Sequence, residues 1–135
     1  MPLDKAMSQC VVRQRADQTV LKLARGIVAD PVVDKSPALA AGVWLYVDEL
    51  EPSHVLSQSL SSQSGSFWHA IVHRREGDFS NALYWYRLAR HHPAMERISG
   101  FDPERLVELA KANDPSAVAL QRKEWASLFE WCAFN

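Results

Sequence analysis

Three observations on this sequence predict an all-α fold. Apolar residues recur every three or four positions along most of the chain, which is the helical period. No segment shows sustained period-two alternation bounded by hairpin turns, so a sheet is not expected. Ser36-Pro37, Asp102-Pro103 and Asp114-Pro115 each place a side-chain acceptor just before a proline, the pattern of a helix start. Short connections between such segments imply a compact bundle of about seven antiparallel helices. A chain of 135 residues suits one domain, 1–135, with residues 1–12 carrying few structural signals and expected to be poorly ordered.

The helices follow in order. Residues 14–24 carry Ala16, Val20, Leu21 and Ala24 at helical spacing, and Gly26 is expected to end them. A two-proline connection follows, with Asp30 or Asp34 available to cap a short turn. Ser36-Pro37 opens a second helix with Ala40, Val43, Trp44 and Val47 on its apolar face. Glu51-Pro52 starts a third, which carries His54, Val55, Leu56 and Leu60. Residues 61–65, Ser-Ser-Gln-Ser-Gly, read as a helix-breaking loop. Two helices at 66–76 and 78–91 follow, joined at Gly77-Asp78, with Pro93 closing the second. Asp102-Pro103-Glu104 opens a helix to Ala112 with Leu106, Val107, Leu109 and Ala110 inward. The last helix begins after Asp114-Pro115-Ser116 and sets Val118, Trp125, Leu128, Phe129 and Cys132 on one side.

Composition removes several function classes. With 15 basic and 16 acidic side chains there is no basic stripe for a phosphate backbone, and Arg74-Arg75 is too short to serve as one, so nucleic acid is not an expected partner. Asp4, Lys5, Arg13 and Arg15 interrupt any secretory signal. The longest apolar run, 38–47, is about half of what a bilayer requires, so no membrane association is expected and the location is expected to be cytoplasmic. Cys10 and Cys132 lie near opposite ends and read as free thiols in a reducing compartment.

Residues 66–93 hold four of the five histidines and two of the five tryptophans. Gly77-Asp78-Phe79 with Ala82-Leu83, Tyr86 and Ala89 resembles the second helix of a tetratricopeptide repeat, although Pro93 comes one position early and the Leu-Gly pair usual in the first helix is missing. Residues 42–60 resemble a weaker second hairpin of that kind. The resemblance covers about a third of the chain and implies αα-hairpins; with at most two units visible, a compact domain is expected instead of an extended array. The longer string Trp68-His69-x3-His73-Arg74-Arg75-Glu76-x-Asp78-x2-Asn81-x2-Tyr84-Trp85 also resembles a family of small helical proteins of bacteria and fungi. That resemblance implies the helical fold and no particular activity.

Helical geometry makes a candidate site of this hairpin. His69, His73 and Glu76 are spaced i, i+4, i+7 and share a stripe that flanks the apolar face of Trp68, Ile71 and Val72. Asp78, Asn81 and Trp85 form a second stripe across the turn. The two stripes can meet along a groove, with His54 closing it from the preceding helix. Plainer roles exist for each residue. Gly77 and Asp78 serve as helix stop and next cap, and Arg74 and Glu76 as solvated charges. Trp68, Trp85 and Tyr86 serve as core, and His91-His92 as a dipole partner at a helix C-terminus.

Four functions fit these residues. The first is a binding module holding a small polar molecule or peptide among His54, His69, His73, Glu76, Asp78, Asn81 and Trp85. The second is a divalent metal site, zinc or iron, on His69 and His73 with Glu76 or His54 as third ligand; an open position there would permit hydrolysis by bound water. His-x3-His is short, and Ala-Ile-Val between the histidines excludes the zinc-protease motif. The third is a metal-free enzyme with His73 or His69 as general base and Glu76 or Asp78 orienting its ring, although no nucleophile elbow accompanies Ser53, Ser66 or Ser80. The fourth is a structural role, such as a homodimer formed through Trp125, Trp131 and Phe134.

Overall fold

A computed structural model describes residues 7–14 and 16–135. Residues 1–6 and Arg15 lie outside the described residues, so the readings made on Asp4, Lys5 and Arg15 fall there too. Among the described residues there are nine helices and no strand. They are α1 (Gln18–Val28), α2 (Pro31–Asp34), α3 (Pro37–Tyr46), α4 (Leu50–Ser59), α5 (Gln63–Glu76), α6 (Phe79–Leu88), α7 (Pro93–Glu96), α8 (Pro103–Lys111) and α9 (Ser116–Phe134). The expected count of seven is low because two prolines each open a short helix, α2 and α7.

The capping chemistry explains most boundaries. Ser36 accepts from Leu39 N at 3.2 Å, and Asp102 accepts from Glu104 N at 3.0 Å. Asp30 accepts from Val32 N at 2.9 Å and starts α2. Asp114 Oδ1 accepts from both the backbone and the hydroxyl of Ser116 ahead of α9. Gly77 ends α5 in the left-handed region at φ 85°, where a side chain would be strained.

Three expected boundaries are corrected. Gly26 does not stop α1, which begins after an Asp17 cap and continues to Val28. A glycine weakens a helix interior without removing a hydrogen bond, and the stop comes at Asp30-Pro31. Residues 61–65 are not a loop throughout: Ser62 Oγ accepts from Gly65 N at 3.1 Å, so this polar string is the cap and first turn of α5. Pro93 does not close the helix before it. That helix ends at Leu88, and Pro93 is the first residue of α7.

α5 lies at the centre of the fold. It packs on α6, α4 and α3, while α9 lies across α3, α7 and α8, and α6 meets α8. Every residue from Phe67 to Arg75 is buried. The expectation of one apolar stripe on this helix is therefore too narrow, because α5 is covered on all sides. Trp68, Phe67, Ile71, Leu45 and Leu128 form the main apolar cluster. α3 and α9 approach closely: Trp125 Nε1 donates to Gly42 O at 2.8 Å, and a Cβ at Gly42 would stand 2.8 Å from the Phe129 ring. The segment before α1 is fastened onto this core. Met7 is fully buried, and Val12 N donates to Arg75 O at 2.8 Å.

The pair Arg74-Arg75 holds the fold from inside. Arg74, read from the sequence as a solvated charge, is fully buried. Its Nη1 donates to Glu124 Oε1 and to Tyr86 Oη, both at 2.6 Å, and its Nη2 donates to Gln121 Oε1 at 2.6 Å. Tyr86 in turn donates to Glu124 Oε2 at 2.5 Å. Burial alone would lower the Arg74 pKa, but Glu124 and Tyr86 more than offset it and hold the guanidinium charged. Arg75 donates to Leu45 O, to Asp48 Oδ1 and to Gln9 O.

Candidate functional site

The turn at Gly77-Asp78 folds α6 back along α5, and α4 packs on the other flank of α5. His69 and His73, one helical turn apart on α5, stack on each other with ring centroids 4.7 Å apart. Both are buried, at 4% and 7% exposure. α4 brings His54 edge-on to both, with centroids 4.7 Å from His69 and 5.3 Å from His73. His54 Nε2 and His69 Nε2 are 3.0 Å apart, so one donates to the other. α6 contributes Trp85, whose ring lies flat on His69 at 3.9 Å. Four rings from three helices thus form a continuous cluster.

One nitrogen from each of His54, His69 and His73 lies within 4.8 Å of the other two, a grouping that could hold a metal ion. The third nitrogen comes from His54. Glu76 stands behind His73 instead, its Oε2 3.4 Å from Nδ1. Asp78 Oδ2 is 3.9 Å from the same nitrogen. Neither carboxylate is aligned for a hydrogen bond, so His73 Nδ1 is buried with no partner among the described residues. Asp78 is also the cap of α6: its Oδ1 accepts from Asn81 N at 3.4 Å, and its Oδ2 accepts from Asn81 Nδ2 at 3.3 Å. The structure therefore gathers His54, His69, His73 and Trp85 into contact. Glu76, Asp78 and Asn81 form an exposed polar margin on one side of them.

Burial, helped by the neighbouring His73 and His54, pushes the His69 pKa down from 6.5 to about 4. At neutral pH His69 is an uncharged imidazole, the form that binds metals.

A second histidine site was not expected. His92 is not an exposed dipole partner at a helix end: it is fully buried and caps α7, its Nδ1 accepting from Ala94 N at 2.9 Å. Its Nε2 lies 2.8 Å from Ser64 Oγ. This resembles the serine–base half of a catalytic arrangement, but the tautomer forbids it. A ring whose Nδ1 accepts must carry its proton on Nε2, so His92 donates to Ser64 and cannot take its proton. Burial lowers the pKa of His92 and favours that neutral form. His91 is exposed, with Nδ1 3.2 Å from Glu96 Oε1.

The C-terminal aromatics are largely occupied within the chain. Trp125 is bonded to Gly42 and stacks on Phe129 at 4.7 Å. Trp131 meets His92 edge-on and lies under the Arg97 guanidinium. Phe134 is 81% exposed. Beside them, an apolar cavity of about 290 Å³ opens between α1, α3 and α9, lined by Leu23, Ile27, Val43, Tyr46 and Phe129 among others. It presents no polar group for chemistry. Among the described residues no helix is long and apolar enough to cross a membrane.

Comparison of the chain with protein-family models, with curated proteins and with solved structures finds no match. The functional reading therefore rests on the geometry above.

Sequence spacing placed His69 and His73 on one stripe and named His54 as a possible third side. What it missed was the Ser64–His92 pair and the buried Arg74–Glu124–Tyr86–Gln121 network. The only signal for the first was a serine in the Ser62 capping string. For the second there was none, because Arg74 and Glu124 are 50 positions apart.

Proposed function

We propose that this protein binds one divalent first-row metal ion, zinc or iron, through His54, His69 and His73. The observation that carries the reading is the mutual approach of three imidazole nitrogens within 4.8 Å from two helices, α4 and α5. Imidazole donors suit zinc, iron, copper and nickel, not magnesium or calcium. Three protein ligands leave a fourth position open, and an ion bound there would lower the pKa of its water toward neutrality. The low pKa of His69 supports the same reading, since that ring carries no second proton at neutral pH; the one proton between His54 and His69 would move to the far nitrogen of its ring when an ion binds.

The test is elemental analysis of purified protein. Near-stoichiometric metal is expected, and His69→Ala with His73→Ala should abolish it. Metal-free protein that gains nothing from added zinc would retire the reading.

The exposed margin of Glu76, Asp78 and Asn81 beside Trp85 favours a second reading: a small polar molecule or peptide held by these groups and the histidines. A thermal-shift screen on chelator-treated protein tests it. A ligand at a hundred times its dissociation constant adds about 2.7 kcal/mol of stability, and Trp85→Ala or Asn81→Ala should remove the shift. The tetratricopeptide-like character of α5 and α6 belongs with this proposal. Gly77 at the turn and the buried Ala82, Tyr86 and Ala89 support it.

A further inference from the structure

We infer that Glu76 is the positioning residue for the metal-binding ring of His73; the inference rests on the metal reading proposed above. A metal-ligating histidine commonly donates its second ring N–H to a carboxylate, which fixes the tautomer and turns the other nitrogen to the ion. His73 is arranged for this. Its Nδ1 is buried and has no hydrogen bond, an uncommon state for a ring nitrogen at 7% exposure. Two carboxylates stand near that nitrogen and no other acceptor is seen to engage it.

The two carboxylates are not equivalent. Asp78 has both oxygens engaged with Asn81, one on the backbone amide that starts α6 and one on the side chain. Drawing it to His73 would break that cap. Glu76 is nearer, at 3.4 Å, and makes no other polar contact among the described residues. It is on the same helix three residues on, a spacing at which side chains meet. It is also exposed, so its rotamer can adjust at little cost. A charge-assisted bond is about 2.7–2.9 Å long, so making it needs the carboxylate to swing into line as well as to close roughly half an ångström. With that bond made, Nδ1 holds the proton and Nε2 is left as the donor atom. The ion's charge on the imidazole would strengthen the same bond.

The experiment compares wild type with Glu76→Gln and Glu76→Ala, using zinc and a competing chromophoric chelator, together with ¹⁵N NMR of the histidine tautomers in metal-free protein. Wild type should bind zinc, and metal-free His73 should be the single Nδ1–H tautomer. Glu76→Ala should weaken zinc about tenfold to a hundredfold, and its His73 should become a mixture of tautomers. Glu76→Gln keeps an acceptor without the charge and should fall between. The melting temperature of both metal-free variants should match wild type, because Glu76 is exposed. Equal zinc affinity in wild type and Glu76→Ala, or an unchanged His73 tautomer, would overturn the inference and leave the metal site standing. Absence of zinc binding by wild type would retire the metal site itself and this inference with it.

Discussion

His73 and Arg74 are consecutive on α5 and both are buried, yet they sit in opposite kinds of polar environment. Arg74 faces α9 and α6: both terminal nitrogens are bonded, its charge is matched by Glu124, and Tyr86 bridges the pair, although its Nε, like Nδ1 of His73, has no partner among the described residues. His73 faces α4 among other imidazoles, with one ring nitrogen unbonded. What separates the two is charge: the guanidinium is answered from within the chain by a buried carboxylate. The imidazole cluster has no such buried carboxylate among the described residues and keeps one ring nitrogen open, the kind of position that a water or an ion can complete. On the proposed reading, Arg74 belongs to the fold and His73 to the site.

The largest expected effect lies on the charge-paired side. Glu124→Ala leaves Arg74 buried and unpaired and should cost about 3–5 kcal/mol of stability, measured by urea unfolding. The double variant Arg74→Met with Glu124→Leu removes both charges together and should recover most of that loss. If Glu124→Ala unfolds like wild type, the two regions do not differ as described.

The next effect lies in the histidine cluster and carries a sign. The folded pKa of His69 is depressed, from 6.5 to about 4. Its neutral form is therefore the one the fold favours. This contribution to stability is fully present above pH 6.5 and is lost as the pH falls toward 4. Stability measured by denaturant unfolding should decline across that window, and His69→Gln should flatten the decline. His92, also lowered by burial, contributes in the same direction and should remain active in the variant.

Smaller still is the effect of His73→Phe on metal-free protein. The ring is flanked by His69 and His54, and an apolar ring replaces an unsatisfied nitrogen, so stability should hold or rise slightly. A loss of more than about 2 kcal/mol would place His73 with Arg74 among the residues that hold the fold.

What the sequence made readable follows from local chemistry. Ser36, Asp102 and Gly77 mark their helix ends because a cap or a left-handed turn is decided by a few adjacent residues. The stripe of His69 and His73 is readable for the same reason. The burial of Arg74 and Arg75 was not, since adjacent arginines ordinarily face water and their partners Glu124, Gln121, Asp48 and Gln9 are remote in the chain. The solvent-free sides of α5 were hidden likewise. A helix covered all round shows no single stripe, and its polar residues mask that coverage when they are paired. His92 looks like a helix end in the sequence because a proline that starts α7 has the same signature as one that ends α6.

The most direct test of the central claim is a zinc titration of chelator-treated protein by isothermal calorimetry, with His54→Ala, His69→Ala and His73→Ala alongside. The account predicts one ion per chain for wild type and a large loss of affinity in each variant, His54→Ala included. Binding that survives in all three variants, or no binding by wild type, would contradict it.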